Sequence, residues 1–596
     1  MMPALQRAGK PSRETVLSLE VLARSAPGDT QQTTQFATLV RHFLDRFFTG
    51  EMASADGDAK TRLVQAVCAI GVPGLVIALY LYTPYHLPHR VRTYWEQAGD
   101  HYFYVVYSLV AMGLVTIFEW DLIFPDLLDV FVLASLPVRE GRLFRARVTA
   151  IFVLIAAALC DANALAVLVL PAATDPSHLF RFLVAHIVAT GCGGIFGAAL
   201  FLALEGVLLG LLGDRLFRKI ALWLQGISVL ALLLALFAYP AVAGALPALL
   251  QHGNRIALWF PPFWFLGIEQ RILDGPVTPA VFSLLARIAF GATALVVAVA
   301  VASYPLAWMR RTRSLVEGAV RRDGQNLAIA PVHTLLHATL ARTAQCRAMW
   351  HFIGQNLLRV PRYRMVLVMY GGAGAALVFA AIARLKVVGA GWGFVLSPDG
   401  VRAAVPIIAF WTVSGLRSTF LAPADQRGRW IFSVILGKAG LPQVRAAHRW
   451  VFAWSLLLSE ATAAFACAVQ PAGFRELRFA TGQAMVAFAL SLLLTDVFFL
   501  YVKTIPFTGA KPNSETNFAL LLIPYLGFFP AIVLFTVGLE PVLEASFARL
   551  AAATAVACGA HLWLGHWHRV QMEAHELLAA VDGDEEEFPQ RLGLRY

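Results

Sequence analysis

The stretch Asp121–Arg147, DLIFPDLLDVFVLASLPVREGRLFRAR, decides how the rest of the chain is read. It lies between apolar segments at about 102–120 and about 148–170, each long enough to cross a bilayer, and it changes along its length from acidic and apolar to arginine-rich. A segment that dips along a membrane surface needs apolar side chains on one face, here Leu127, Leu128, Phe131 and Leu133. It also needs a breaker, Pro137, and cations where it re-enters beside anionic headgroups: Arg139, Arg142, Arg145 and Arg147. The pattern reads as a cytoplasmic elbow that receives a partner protein.

Composition agrees with that reading. Of 596 residues 58% are hydrophobic and only 14% charged, with a mean hydropathy of +0.66, whereas soluble domains carry about 25% charge. The apolar residues fall in runs of about 20, the length that crosses about 30 Å of hydrocarbon as a helix, so the fold class is an all-α integral membrane protein. The 48 Lys and Arg against 37 Asp and Glu leave +11, which fits cytoplasmic loops under the positive-inside rule and not nucleic-acid binding. Cys68, Cys160, Cys192, Cys467 and Cys558 sit inside apolar runs and Cys346 sits alone in a polar segment; no pair has metal or redox spacing. The first 60 residues lack the features of a cleaved signal, so none is expected.

Outward from the elbow the chain divides into two similar halves. Residues 1–62 hold a polar leader and an amphipathic helix for the membrane interface, with Phe36, Leu39, Val40, Phe43, Leu44, Phe47 and Phe48 opposite Arg41, His42, Asp45 and Arg46. The first unit, 63–308, has spans near 63–83, 102–120, 148–170, 180–208, a fifth running to about 240 and a sixth near 278–308. A basic turn, Gly213–Lys219, joins the fourth and fifth, and an aromatic piece, Trp259-Phe-Pro-Pro-Phe-Trp-Phe265 followed by Gly267 and Glu269, precedes the sixth as a re-entrant or interfacial segment on the outer side. A basic cytoplasmic linker, 309–364, ends in a second interfacial pattern of Met349, Phe352, Ile353, Leu357 and Val360. The second unit, 365–564, has spans near 365–384, 403–421, 450–470, 481–502, 519–537 and 545–564, with a second elbow from Ala422 through Leu441-Pro442. An acidic tail, 565–596, follows. About twelve spans in two parallel six-helix repeats place both termini, both elbows and the linker in the cytoplasm.

No Walker A, HExxH or GxSxG motif and no Cys/His pair at metal spacing is present, so the chain is expected to be a transport subunit and not an enzyme, with no metal or other cofactor. His561, His568 and His575 are seven apart on one helix and read as interfacial histidines. Ionisable groups inside spans cost a few kcal/mol unless they face a partner or water. Asp161, His186, Glu205, Glu460 and Asp496 are such groups. They form either a polar translocation path or structural interhelical hydrogen bonds. The glycine groups Gly191, Gly193, Gly194, Gly197 and Gly371, Gly372, Gly374 read as close helix packing.

An interfacial helix before the first span, a cytoplasmic elbow between the second and third and a Pro-aromatic segment before the sixth make each half resemble the six-span permease of ABC-2 type exporters. Asp126-Leu-Leu-Asp129, Leu136-Pro137-Val138 and Arg139 are similar to that family's segment between its second and third spans, and Trp259–Phe265 to its outer segment before the last. The whole chain resembles bacterial permease-like proteins in which two such units are fused, on Phe420–Asp425, Arg429–Phe432 and Pro506-Phe507-Thr508. The resemblance implies a bacterial inner-membrane exporter whose cargo passes between the units and whose separate ATPase subunits dock on the elbows. Asp126, Asp129, Pro137, Arg139 and Arg142 would carry docking in the first half, and Asp425, Arg427, Arg429 and Pro442 in the second. The second half departs from the pattern in a short outer loop, Gly538–Glu544, and in lacking the paired acids. A rival reading starts from Gly210-Leu-Leu-Gly-Asp214-Arg215-Leu-Phe217-Arg218-Lys219, which is similar to the loop motif of major facilitator transporters and implies an ion-coupled secondary transporter using the buried carboxylates.

Overall fold

The computed structural model describes residues 29–49, 59–86, 92–126, 129–133, 136, 138–174, 178–251, 255–316, 343–388, 391–421, 441–469, 477–502, 505–507 and 524–581. Among them ten helices are long and apolar enough to cross a membrane, and the chain is a multi-pass membrane protein built almost wholly of helix. The expected spans near 63–83 and 519–537 are not among the ten. The first corresponds to a helix, Ala59–His86, and the second lies partly outside the described residues.

In chain order the first half comprises α1 (Asp29–Thr49), α2 (Ala59–His86), α3 (Tyr94–Phe118), α4 (Glu140–Thr174), α5 (Leu179–Phe237), α6 (Tyr239–Leu250), α7 (Pro261–Asp274) and α8 (Ala280–Val316). The amphipathic pattern of α1 forms as read: Leu39, Phe43 and Phe47, four apart, are buried, while Arg41, His42 and Asp45 are exposed. Thr93 starts α3 with a reciprocal capping box to Glu96. The elbow ends earlier than expected. Helix α4 begins at Glu140, and the Arg139 carbonyl accepts from the amides of Arg142 and Leu143, because no breaker follows Pro137. Arg142, Arg145 and Arg147 thus stand on the first two turns of a helix and not in a loop. Helix α6 is a second correction, since the sequence offered no element between the fifth span and the aromatic piece. The aromatic piece itself is a 3₁₀ turn, Arg255–Trp259, followed by α7, which buries Phe263, Phe265, Leu266 and Ile268.

Helix α5 contains both the fourth and fifth spans, broken at Gly213, whose φ of 70° and ψ of 165° lie in a region essentially reserved for glycine. Phe201 and Leu232, from either side of that break, both abut Gly113 of α3, so the chain folds back on itself. Gly213→Ala is expected to cost about 1–3 kcal/mol, read as a lower thermal midpoint of the detergent-solubilised protein; an unchanged midpoint would mean that the turn forms without glycine.

The second half comprises α9 (Ala344–Arg359), α10 (Pro361–Ile382), a hairpin of β1 (Ala383–Val388) and β2 (Gly391–Leu396), α11 (Pro398–Leu421), α12 (Leu441–Val469), α13 (Leu477–Phe499), α14 (Phe529–Glu544) and α15 (Phe547–Val581). The hairpin is the strand pair of the described residues, in a chain otherwise helical as expected. It is antiparallel, pairs Ala383 with Leu396 and Val388 with Gly391, and packs on α6. The loop expected at Gly538–Glu544 is instead the end of α14. Helix α9 repeats the interfacial pattern, burying Cys346, Met349, Trp350, Ile353 and Leu357. Burial pushes the Cys346 thiol up, against the pull of Arg449 beside it. The acidic tail beyond Val581 and linker residues 317–342 lie outside the described residues.

Among the described residues the two largest of five hydrophobic clusters lie one in each half: the larger joins α1 and α3 through α8, and the smaller joins α9 through α13. Of the ten apolar helices α3 and α11 are the most enclosed, one at the centre of each half. The halves meet where Gly372 of α10 lies on Val229 of α5. Glycine packing is as tight as read at Gly197 and Gly374, where a side-chain carbon would stand 2.5 Å from the Leu109 carbonyl oxygen and 3.1 Å from Trp411, but not at Gly191 or Gly371, where nothing lies within 4 Å of one.

Candidate functional site

The elbow is fastened at both ends. Asp126 and Asp129, three apart, each accept the other's backbone amide, which sets both carboxylates on one side of the short π-helical turn Asp129–Leu133. Arg46 of α1 then reaches both, one guanidinium nitrogen to each acid. From the other side Arg147 of α4 donates to Asp129 at 3.0 Å and to the carbonyls of Leu122 and Phe124, with its guanidinium over the rings of Phe43 (4.7 Å) and Phe47 (5.8 Å). Arg147 is 1% exposed and Asp129 4%, so the desolvation cost of the ions is met by pairing and hydrogen bonds. Arg142 donates to Gln35 of α1.

This geometry redistributes the residues that the resemblance assigned to docking. Asp126 and Asp129 hold α1, the elbow and α4 together, whereas Arg139, Arg145 and Leu136 remain at the surface. Pro137, Asp425, Arg427 and Arg429 lie outside the described residues, and Pro442 is exposed on the first turn of α12. In sequence Arg46 reads only as part of a polar helix face. Nothing in its local pattern distinguishes it from Arg41, which is exposed.

The five intramembrane groups have different neighbours. Asp161 of α4 packs on Gly71 of α2, its carboxylate 3.0 Å from where a side chain there would begin. Glu205 of α5 is buried beside the point where Gly206 meets Ser303 of α8. Glu460 is half-buried on α12, one residue from Ser459 in a serine ladder with Ser455 and Ser491. Asp496 of α13 accepts from His561 of α15 at 2.7 Å. His568, next in that histidine series, bonds the Leu500 carbonyl at 2.6 Å and lies 5.2 Å from the His448 ring.

His186 belongs to a denser arrangement. Its Nδ1 lies 2.8 Å from the Glu269 carboxylate of α7, which also faces His101 of α3 at 3.9 Å; His101 in turn meets Gln270 at 2.9 Å. Beside it Asp100 is held by Arg92 at 2.6 Å and Tyr85 at 3.0 Å. Gly267 lets α7 approach α8, since a side chain there would come within 2.8 Å of the Phe282 carbonyl. A second cluster joins Glu540 and Glu544 of α14 to Arg402 of α11 and Gln483 of α13. Sequence reading missed His101, Gln483 and Arg402 as site residues and noted Glu269 only as a neighbour of the aromatic piece. A charged or imidazole residue about two turns into an apolar run was the available signal. The turn Gly210–Lys219 is tied to α8, because Asp214 pairs with Arg311 and accepts from Ser314 at 3.2 Å. Among the described residues no three His, Cys, Asp or Glu side chains are placed to hold a metal ion.

No family model matches this chain, and no curated protein or solved structure matches it either. The functional reading therefore rests on the geometry of its own residues.

Proposed function

We propose that the chain is the permease of an ABC-2 type exporter in a bacterial inner membrane, with two fused six-helix units, both termini cytoplasmic, and energy from ATP hydrolysed by a separate ATPase chain. The observation that carries the reading is the elbow between α3 and α4, fastened through Arg46, Asp126, Asp129 and Arg147 to the amphipathic helix that precedes the first span. A segment held this rigidly at the end of two long helices can pass a push from a docked protein into α3 and α4 as a body. Further support comes from α6 and α7, short helices before α8, and from the enclosed α3 and α11, one in each half. Cargo would pass between the units as they rock.

The test is gentle purification of the tagged chain from its native membrane. A Walker-motif ATPase is expected in stoichiometric amount. Leu136→Glu with Arg139→Glu and Arg145→Glu, all surface changes, should reduce that ATPase at least about tenfold, a loss of about 1.4 kcal/mol or more in binding, while insertion stays intact. Recovery of the chain alone, or undiminished binding by the triple variant, counts against the reading.

The buried pair His186–Glu269 and the half-buried pair Asp496–His561 favour a second reading, an ion-coupled secondary transporter. In proteoliposomes that reading requires uptake driven by an ion gradient without ATP, and loss of it when Asp161, Glu205, Glu460 or Asp496 is neutralised.

A further inference from the structure

We propose that each half of the chain binds one proton at the face opposite the elbow, in a closed cluster built round a carboxylate of the segment preceding its last long helix: Glu269 in the first half and Glu540 in the second. The inference is independent of how transport is powered.

The two clusters occupy matching places. His101 and His186 stand two turns into α3 and α5; His186 bonds Glu269 of α7, and His101 lies 3.9 Å from it. Arg402 stands one turn into α11 and Gln483 nearly two turns into α13; Gln483 donates to Glu540 of α14, and Arg402 lies 3.9 Å from it. Both lie at the same face. The elbow follows the far end of α3; α6 packs on the near end at Gly99, and the hairpin leading into α11 packs on α6.

Charge then decides the occupancy. In the first cluster Asp100 is answered by Arg92 and by the Tyr85 hydroxyl. Asp274 lies half-buried toward the rim with the Tyr94 hydroxyl at 3.0 Å, while Arg181 and Arg271 give their donors to the carbonyls of Ile272 and Gly275. Tyr104 stacks edge-on to His186 and Tyr239 packs on Tyr102 and Phe103; α8 presents Phe282, Leu285 and Ala286. Among the described residues this leaves Glu269, 0% exposed, facing only two imidazoles. With both imidazoles neutral the cluster holds one uncompensated negative charge, and one proton removes it. In the second cluster Arg478 and Arg549 give their donors to the carbonyls of Ala545 and Val542, and among the described residues Glu540 and Glu544 share one paired cation, Arg402, at 3.9 and 2.8 Å, so again one negative charge remains until one proton is bound. The acceptors for it are in place. His186 Nε2 and Glu269 Oε2 in the first cluster, and Glu540 Oε2 and Glu544 Oε1 in the second, are buried without a hydrogen-bond partner among the described residues. A bound proton makes each cluster neutral, which fastens the segment before the last helix to the helices it crosses; its loss loosens them.

The experiment heats the purified full-length chain in detergent at pH values from about 7 to about 9, above the ordinary imidazole range, so that the histidines of the unfolded chain are neutral throughout. A proton held more tightly in the folded than in the unfolded chain stabilises at low pH, and that stabilisation disappears as pH rises through the folded-state titration. The wild-type midpoint is expected to fall by several degrees over that range. Glu269→Gln and Glu540→Gln replace the carboxylate with a neutral group of the same shape, so each should remove a distinct part of the fall, and the double variant should be nearly flat. A double variant that falls as steeply as wild type overturns the proposal. If the glutamine variants give no folded protein, infrared difference spectra of the wild type in lipid bilayers decide. Bands of a protonated carboxylic acid or imidazolium shielded from solvent at neutral pH are expected, and absence of both overturns it.

Discussion

Replacing Arg147 with methionine is expected to lower the stability of the folded chain by about 3–5 kcal/mol, the range for breaking a buried ion pair from one side. The methionine keeps an unbranched apolar stem, so packing loss is small, although the guanidinium over Phe43 and Phe47 goes with the charge. What disappears is the charge that answers Asp129 and the donors to Leu122 and Phe124. Two carbonyls are then left in a site closed to water, and Arg46 alone must satisfy two acids. The measurement is the thermal midpoint in detergent beside proteolysis at the elbow, which should become the first point of cleavage. Asp129→Leu in the same chain should restore part of the loss, because an apolar pair of similar size can replace a buried ion pair at little cost. A single variant as stable as wild type would mean that Arg147 does not hold the elbow.

Gly197→Val is expected to separate α5 from α3 at a cost of about 1–3 kcal/mol or more. The first added carbon would meet the Leu109 carbonyl oxygen at 2.5 Å and the Gly113 amide at 3.4 Å, both backbone atoms that cannot rotate aside. As the helices part, Ser108 loses its 2.8 Å bond to the Thr190 carbonyl and its 3.0 Å bond from Asn163 of α4, so three helices are disturbed by one substitution. Gly191→Ala, one helical turn and a half earlier on α5, is the control. Nothing lies within 4 Å of its added carbon, and the higher helix propensity of alanine should leave it neutral or stabilise it by up to about 1 kcal/mol. Equal effects of the two changes would remove close backbone approach as the cause.

Both predictions turn on features the sequence conveyed unequally. Gly197 was legible as a packing residue, since a glycine repeated at helical spacing in an apolar run has little other use. The partners of Asp126 and Asp129 were not. Their spacing, the leucines between them and the arginines after them fit an exposed docking surface as well as an internal lock. The resemblance to exporter permeases favoured the first, and the structure gives their carboxylates to Arg46 and Arg147. His186 was legible as a buried ionisable group, yet the residue that answers it, Glu269, stands 83 positions away in a helix marked only by aromatic rings and prolines.

The sequence by itself determined that this is a multi-pass helical membrane protein, where most spans begin and end, and which helices lie amphipathic beside them. Those properties follow from the length and period of apolar runs, which a bilayer tests one segment at a time. Only the tertiary structure decided that α5 folds back at Gly213, that a hairpin stands between α10 and α11, and that each buried charge has the partner it has. A carboxylate in hydrocarbon must find a donor, but the sequence states the need without the address. Glu269 and Glu540 are answered by side chains that meet only after the helices have packed.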